Sequence, residues 1–302
     1  MTALIDTHQH YWRYAAAEYG WIDGRMAALR RDFLPGDARG AMAAANVDAA
    51  IAVQARQTPE ETAWLLTLAE QHPFIAGVIG WVDLQDPRVE ADIERLAGHP
   101  RLLGVRHIVQ AEADGFLERP AFLRGIAVLE RHALTYDILV YARQLPAALR
   151  FARAFPRQRF VLDHLGKPEV AAGEFQQWRR HFGLLAALPN VCCKMSGLVT
   201  EADWAAWTPG QLRPYLDAAL AAFGPARLMI GSDWPVCTLA GAYADVVGAT
   251  LEAIGEYSTA EQELMLRGTA QQTWPRLTRT RRADDADHTA AARAGHANGK
   301  SC

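Results

Sequence analysis

The chain has 302 residues, a formal net charge of −3 and 50% hydrophobic residues. This length suits one large α/β barrel or two smaller domains, and the near-neutral charge gives no reason to expect nucleic acid or an anionic membrane as a partner. No apolar run approaches the ~20 residues that span a bilayer, and Cys192, Cys193, Cys237 and Cys302 form no Cys-x-x-Cys pair, so we expect a cytoplasmic protein without disulfides or structural zinc.

Short apolar, β-rich runs recur along the chain and predict strands. Several of them are continuous hydrophobic runs without alternation, which is typical of parallel strands that helices cover on the outside. We predict eight strands, at Leu4–Thr7, Ala49–Gln54, Ile75–Val82, Leu103–Ile108, Ile138–Tyr141, Phe160–Asp163, Val191–Met195 and Leu228–Gly231.

The segments between these runs have apolar residues three and four positions apart, which predicts helices. Thr58-Pro59-Glu60-Glu61 supports one of them, because it places a capping residue before a proline and an acidic first turn. We predict helices at Asp37–Ala45, Pro59–Gln71, Val89–Ala97, Pro120–Arg131, Pro146–Ala154, Glu174–Ala187, Gln211–Phe223, Tyr243–Ile254 and Thr259–Arg267.

Eight strand–helix alternations over ~270 residues match the size of a closed parallel barrel. A doubly wound open sheet is the competing fold, but no Gly-x-Gly-x-x-Gly follows any predicted strand. Residues Tyr11–Arg31 form an irregular, aromatic loop that would lie at the catalytic face of a barrel. After about Arg279 almost no large apolar side chain occurs, so we expect a barrel domain at 1–278 and a disordered tail at 279–302.

Polar side chains occur where the predicted strands end, which is where a barrel builds its active site. His8 and His10 stand two residues apart, a spacing that directs both imidazoles to one face of a strand, although a pair of surface histidines would show the same motif. Buried polar groups are costly without partners, so such residues on one rim indicate a site. The other strand ends supply Arg106 and His107 (of which one can face the interior), Tyr141, Asp163 and His164, Lys194 and Ser196, and Ser232 and Asp233.

This pattern resembles the amidohydrolase superfamily and, more narrowly, its sugar-lactonase branch, with L-fuconolactonase-like and L-rhamnonolactonase-like members. The resemblance covers residues 3 to 275, and its motifs are specific together rather than singly. The matching runs are Ile5-Asp6-Thr7-His8-Gln9-His10-Tyr11-Trp12, Val78-Ile79-Gly80-Trp81-Val82-Asp83-Leu84, Gly104-Val105-Arg106-His107, Phe160-Val161-Leu162-Asp163-His164-Leu165-Gly166-Lys167-Pro168 and Ile230-Gly231-Ser232-Asp233-Trp234-Pro235.

The resemblance implies a single distorted (β/α)8 TIM barrel and a hydrolase that opens a lactone ring. It carries over roles to His8, His10, His164 and Asp233, with Asp233 as the general base that takes a proton from the attacking water. A carboxylate beside imidazoles in a partly dry cavity can be both anionic and basic. The resemblance also favours Arg106 over His107 as the residue that faces the site, so that Asp233, His164 and Arg106 form the expected catalytic set.

Metal-rich members of the superfamily supply a bridging Lys or Glu from strand four and a His from strand five. Here those strands end in Arg106, His107 and Tyr141, so we do not expect a two-metal centre. One divalent ion, with zinc favoured, could bind His8, His10 and Asp233, because three protein ligands and a water make a workable catalytic zinc site. Metal-free hydrolysis, with Arg106 or a histidine polarising the carbonyl, stays open.

The rim has few arginines but many aromatic residues, which suits a neutral, hydroxyl-rich ring better than a di- or tricarboxylate lactone. We therefore expect an aldonolactone as substrate, such as the six-carbon deoxysugar lactone L-fuconolactone. Two alternatives stay open, a metal-dependent decarboxylase of aromatic or vinylogous acids and a non-catalytic barrel that binds a sugar acid. The expected substrate-binding residues are His8, His10, Trp12, Trp81, Tyr141, Lys194 and Trp234.

Overall fold

The computed structural model describes residues 4–277, and within them one sheet of eight parallel strands runs in sequence order. The first and last strands also meet, at a parallel bridge between Gln9 and Trp234 and through a 2.9 Å hydrogen bond from the Asp233 amide to the His8 carbonyl. The predicted (β/α)8 barrel is therefore confirmed. The tail expected at 279–302 lies outside the described residues.

The strands are β1 (Leu4–Gln9), β2 (Val47–Val53), β3 (Ile75–Gly80), β4 (Leu102–His107), β5 (Thr135–Ile138), β6 (Phe160–Leu162), β7 (Val191–Met195) and β8 (Leu228–Ile230). The helices are α1 (Pro35–Ala44), α2 (Pro59–Gln71), α3 (Val89–Ala97), α4 (Pro120–Arg131), α5 (Leu145–Ala154), α6 (Phe175–Ala186), α7 (Pro209–Phe223), α8 (Tyr243–Ile254), α9 (Thr259–Glu263) and α10 (Thr269–Thr273), the last two joined by a π-helical turn at Leu264–Gly268. No helix among these residues is both long and apolar enough to cross a membrane.

The fifth strand differs most from its prediction. The sequence places it at Ile138–Tyr141, whereas β5 ends at Ile138 and begins with Thr135. The reason is Asp137, a charged residue that interrupts the apolar pattern but is fully buried inside the barrel. The apolar run that follows continues past the strand into the cavity wall, and Tyr141 lies beyond the strand with 37% of its surface exposed.

An apolar layer closes the barrel interior on the side away from the strand ends. Ile5, Val53, Val161 and Met229 belong to one buried cluster, together with Trp274 from the segment after α10. Helices cover the outer faces of the strands through a second, larger cluster. Because the lower interior is already filled, the polar groups of the barrel collect toward its carboxyl end.

The first strand contains a β-bulge that prepares the site. Its partners in β2 advance from Ala50 to Ala52 while β1 advances three residues, from Asp6 to Gln9. An extra residue changes the face to which the following side chains point. Ile5 therefore packs in the lower interior while His8, three positions later, also faces the interior, and Asp6 between them contacts Ser232 beside β8 and Tyr243 of α8.

Candidate active site

Three histidines and one carboxylate meet at the carboxyl ends of the strands, beneath a cavity of about 780 Å³. His8 lies in β1 and His10 directly follows it, His164 follows β6 and Asp233 follows β8. All four side chains are buried, and His10, His164, Asp233 and Arg106 line the cavity. The structure thus brings together the central residues that the sequence predicted.

The ring of His8 is held from below by a carboxylate. Its Nδ1 lies 3.4 Å from Asp163 Oδ1, and its Nε2 lies 3.1 Å from Arg106 Nη1. A carboxylate accepts and a guanidinium donates, so these neighbours favour the tautomer with the proton on Nδ1 and a lone pair on Nε2. Burial lowers the pKa of His8 well below its usual value, although the nearby Asp163 opposes this shift, and the ring is neutral near pH 7.

The ring of His10 is fixed in the same tautomer. Its Nδ1 lies 2.8 Å from the Val53 carbonyl oxygen, which can only accept, so Nδ1 donates, and in the neutral ring Nε2 carries the lone pair. His10 Nε2 lies 3.2 Å from His8 Nε2 and 3.2 Å from Asp233 Oδ1. The remaining distance, between His8 Nε2 and Asp233 Oδ1, is 3.8 Å.

These three acceptor atoms fit a metal ion. Atoms at such separations can all lie about 2 Å from one central point, which is the bond length of zinc to nitrogen or carboxylate oxygen. Asp163 and the Val53 carbonyl hold the opposite ring nitrogens, as outer partners of metal-bound histidines do. The residues expected to bind one ion, His8, His10 and Asp233, therefore have a suitable arrangement.

Asp233 is ionised. Burial opposes its charge, but the three neighbouring histidines, with His164 first, outweigh burial and hold the pKa of this carboxyl well below its usual range. Its backbone lies in the left-handed region, at a φ of 62°, where the hydrogen bond from its amide to the His8 carbonyl ties it to β1. This connection aims the carboxylate at the histidines of the neighbouring strand.

His164 occupies a tight, strained turn. Its φ of 54° is in the left-handed region, and its Nδ1 lies 2.9 Å from Ser196 Oγ after β7. Gly197 is required beside it, because a Cβ at that position would lie 2.5 Å from His164 Nδ1. Burial lowers the pKa of His164 to about 4, so the ring is neutral near pH 7. Its Nε2 lies 3.9 Å from Asp233 Oδ1.

The structure separates Arg106 from its neighbour His107. Arg106 points inward, where Nη1 donates to Asp163 Oδ2 at 2.9 Å and Nη2 donates to the carbonyl oxygen of Gln54. His107 points outward, stacks on Phe116 and contacts Glu112. The structure therefore places Arg106, and not His107, on the inner side of β4, where its Nη atoms are already engaged by protein acceptors.

The other expected substrate-binding residues divide into two groups. Tyr141 lines the cavity. Trp12, Trp81 and Trp234 do not, and this part of the prediction is corrected: Trp12 is fully buried against Tyr19 and Phe33, and Trp234 also packs on Phe33, while the Trp81 indole contacts His107 outside the barrel. Lys194 is fully buried beneath His8 and reaches Asp137 rather than the cavity.

No catalytic, metal-binding or substrate-binding role was predicted from the sequence for several residues of the site, although Asp163 was among the polar residues at the strand ends. Asp137 and Asp163 carry the charges beneath His8, and the signal for them was Lys194 itself, since a lysine in an apolar strand needs a buried acid. Lys167 lines the cavity and pairs with Glu201 at 3.1 Å, and Trp21 and Arg25 reach it from the long β1 loop. Loop residues of this kind carry no periodic signal.

Comparison with known proteins agrees with the resemblance seen in the sequence. The family model of the amidohydrolases matches residues 5–276. An L-fucono-1,5-lactonase from Burkholderia multivorans is 46% identical over 88% of this chain and 94% of its own length. A crystal structure of an amidohydrolase from Burkholderia multivorans with bound zinc is 44% identical and superposes with a TM-score of 0.86 over 90% of this chain and 98% of that one. A 5-carboxyvanillate decarboxylase from Sphingomonas paucimobilis, 16% identical over 91% and 99% of the two chains with a TM-score of 0.63, shares the fold alone.

Proposed function

Since the chain belongs to the amidohydrolase family, we propose that it is a lactonase that hydrolyses the lactone of a sugar acid. One observation carries the proposal: the ionised Asp233 faces a cavity of about 780 Å³, and within residues 4–277 the side-chain atoms that contact its carboxylate are imidazole nitrogens. Such a carboxylate can accept a proton from water. The 46% identity to an L-fucono-1,5-lactonase supports a lactone as the reacting group.

In the proposed reaction, Asp233 removes a proton from a water molecule while the water oxygen attacks the carbonyl carbon of the lactone. The neutral His164 donates a hydrogen bond from Nε2 to the oxygen that becomes negative, with Ser196 Oγ on its other nitrogen. The bond between the carbonyl carbon and the ring oxygen then breaks. The ring oxygen leaves as an alcohol with the proton that Asp233 held, and the product is a hydroxy acid.

A metal ion fits beside these residues. His8, His10 and Asp233 would hold one divalent ion, zinc by the nitrogen-rich ligand set. Bound there, an ion would polarise the carbonyl and lower the pKa of water. The chain's own part is to fix both imidazoles through Asp163 and the Val53 carbonyl and to keep Asp233 charged.

The proposed substrate is a neutral, hydroxyl-rich ring, with L-fucono-1,5-lactone as the first compound to test. The cavity wall offers the aromatic side chains of Trp21, Tyr141 and Trp204, which can stack on the apolar face of a sugar. Of its basic residues, Lys167 is paired with Glu201 and Arg106 with Asp163. This leaves Arg25 as a cation on the cavity wall without a cavity-lining carboxylate partner. One such cation is too few to bind a tricarboxylate.

A panel of sugar lactones tests the proposal, with acid release recorded in a weakly buffered indicator solution. We expect hydrolysis of six-carbon 1,5-lactones well above the spontaneous rate, and no carbon dioxide release from 5-carboxyvanillate. The assay is repeated after exhaustive chelation and after zinc is restored. Activity that disappears and returns with zinc assigns the electrophile to the ion, and activity that persists assigns it to His164 and Arg106. A folded protein inactive on every lactone, with or without zinc, would contradict the proposal.

A further inference from the structure

Two groups of possible metal ligands overlap at His8. One contains His8, His10 and Asp233, and the other contains His8, Asp163 and His164. Within each group one ligand atom from each residue lies within 4.8 Å of the others, and all these side chains are buried. On ligand type alone both groups could bind a divalent ion, so the difference between them must lie in their surroundings.

Protein cations already contact the carboxylate of the second group. Lys194 Nζ lies 3.0 Å from Asp163 Oδ1, and Arg106 Nη1 lies 2.9 Å from Asp163 Oδ2. Each oxygen of Asp163 therefore has its own positive partner. Lys194 Nζ also lies 3.3 Å from His8 Nδ1, the nitrogen of His8 that faces Asp163.

The first group has no such partner on its carboxylate. The side-chain atoms near Asp233 Oδ1 are the imidazole nitrogens of His10, His8 and His164, at 3.2, 3.8 and 3.9 Å. Arg106 approaches this group only at His8 Nε2. No protein cation contacts the Asp233 carboxylate within residues 4–277, and the first group meets one guanidinium, at His8 Nε2, whereas a metal ion near Asp163 would meet an ammonium and a guanidinium on the carboxylate itself.

The charge balance of the buried cluster agrees with this difference. Asp137, Asp163 and Asp233 supply three negative charges, and Arg106 and Lys194 supply two positive ones, all at side chains with at most 4% of their surface exposed. These five groups together carry one negative charge. One divalent ion reverses the sign of that charge, and a second would leave a large uncompensated positive charge in a dry interior, which is strongly unfavourable.

We propose that Lys194 and Arg106 occupy the place of a second metal ion. As fixed cations they fill the positions around Asp163, so that the group of His8, Asp163 and His164 binds no ion while the group of His8, His10 and Asp233 can bind one. Lys194 is the more telling residue, because its ammonium contacts Asp137 at 2.5 Å, Asp163 and His8 together and never reaches the cavity.

Zinc stoichiometry tests this role without any measurement of turnover, so it stands independently of the proposed lactonase activity. The full-length, tag-free protein is dialysed to equilibrium against a series of zinc concentrations, and bound zinc is measured by atomic emission. Lys194→Met removes the charge at similar length. Lys194→Gln also removes it but keeps a donor for Asp137, in case the methionine variant does not fold. Lys167→Met is the matched control, because it removes a lysine charge on the cavity rim instead.

We expect both Lys194 variants to bind one more equivalent of zinc than the wild type, and Lys167→Met to bind the same number as the wild type. An added equivalent in Lys167→Met as well would assign the gain to overall charge and overturn the proposal. So would folded Lys194→Met and Lys194→Gln proteins with wild-type stoichiometry, or a wild-type protein that binds two equivalents inside the barrel.

Discussion

Asp6 and Asp233 are two buried carboxylates where the barrel closes, with similar exposure and opposite surroundings. Asp6, on β1, accepts hydrogen bonds from Ser232 Oγ at 2.5 Å, Gln9 Nε2 at 2.7 Å and Tyr243 Oη at 2.9 Å. It also accepts from the backbone amides of Ser232 and His8. Every partner is a committed donor, and those from Ser232 and Tyr243 join β1 to the segment after β8 and to α8, so Asp6 holds the barrel closed.

Asp233, after β8, contacts imidazole nitrogens instead. The nearest of them, His10 Nε2 at 3.2 Å, carries a lone pair in the neutral ring, because His10 donates from its other nitrogen to Val53. Two acceptors at this distance are stable only with a proton, a cation or a substrate donor between them. The Asp233 carboxylate therefore lacks the hydrogen-bond donors that Asp6 has. Both side chains are buried, so burial alone does not distinguish them.

The two carboxylates also differ in the direction of their pKa shifts. Burial raises the pKa of Asp6 in spite of its five donors, whereas the imidazoles lower the pKa of Asp233 in spite of its burial. A carboxylate with all its lone pairs engaged stabilises structure, and one that faces other acceptors is available for chemistry.

The largest effect is expected on turnover, from a substitution of Asp233. Asp233→Asn removes the proton acceptor, and loss of a general base typically lowers turnover ~10²–10⁴-fold. The variant should still fold, because the contacts that close the barrel here belong to Asp6 and to the Asp233 amide rather than to the Asp233 side chain. Lactone hydrolysis and urea unfolding are measured on the same preparation. Near-normal hydrolysis by the folded variant would contradict the assignment of Asp233 as the base.

Removing a hydrogen-bond donor from Asp6 should instead lower the stability of the fold. Ser232→Ala leaves the buried Asp6 without its shortest hydrogen bond, and a lost partner of a buried charged group costs about 1–3 kcal/mol. Tyr243→Phe removes another donor to the same carboxylate from α8 and is the matched variant. Both should lower the free energy of unfolding in urea. Unchanged unfolding in both would show that Asp6 is not the closing contact inferred here.

The sequence predicted which residues lie at the strand ends better than it predicted which of them contact one another. The barrel, the strand-end residues His8, His10, His164 and Asp233, and the inward direction of Arg106 were all predictable, because strand patterns are local and the motifs resemble a known family. The position of β5 was not. Asp137 is buried in it only because Lys194, 57 residues later, supplies a 2.5 Å ion pair, and no local pattern contains that partner.

The aromatic residues show the same limit. Trp12 and Trp234 were expected to bind substrate because they follow strands that end at the site. Their rings instead pack on Phe33, from the segment just before α1, which fills the space behind the first and last strands. Trp21, which does line the cavity, has no strand-end position to mark it. Which aromatic side chain faces a cavity depends on how the loops pack, and residue type does not encode that.

Glu61 is a third buried carboxylate, and its hydrogen-bond donors are fewer than those of Asp6. On α2, it accepts from the backbone amides of Ala55 and Arg56, the latter at 2.8 Å, and so holds the loop whose Ala55 lines the cavity. Burial raises the pKa of Glu61 from 4.5 to about 7, while the amide hydrogen bonds oppose the shift.

The sign of the resulting pH effect is fixed by that direction. A folded-state pKa above the unfolded value means that the folded protein binds more protons between pH 4.5 and about 7, so the contribution of Glu61 to stability is greatest below pH 4.5 and is lost as the pH rises to about 7.

Glu61→Gln removes this dependence of stability on pH. The free energy of unfolding is measured in urea at pH 5, 6, 7 and 8 for both proteins, since the difference between them cancels the other titrating groups. We expect that difference to change in favour of the variant by up to about 1 kcal/mol for each pH unit between 5 and 7 and then to level off. Parallel pH profiles for the two proteins would show that the Ala55 and Arg56 amides keep Glu61 ionised throughout, and would place it with Asp233 among the carboxylates that are charged when folded.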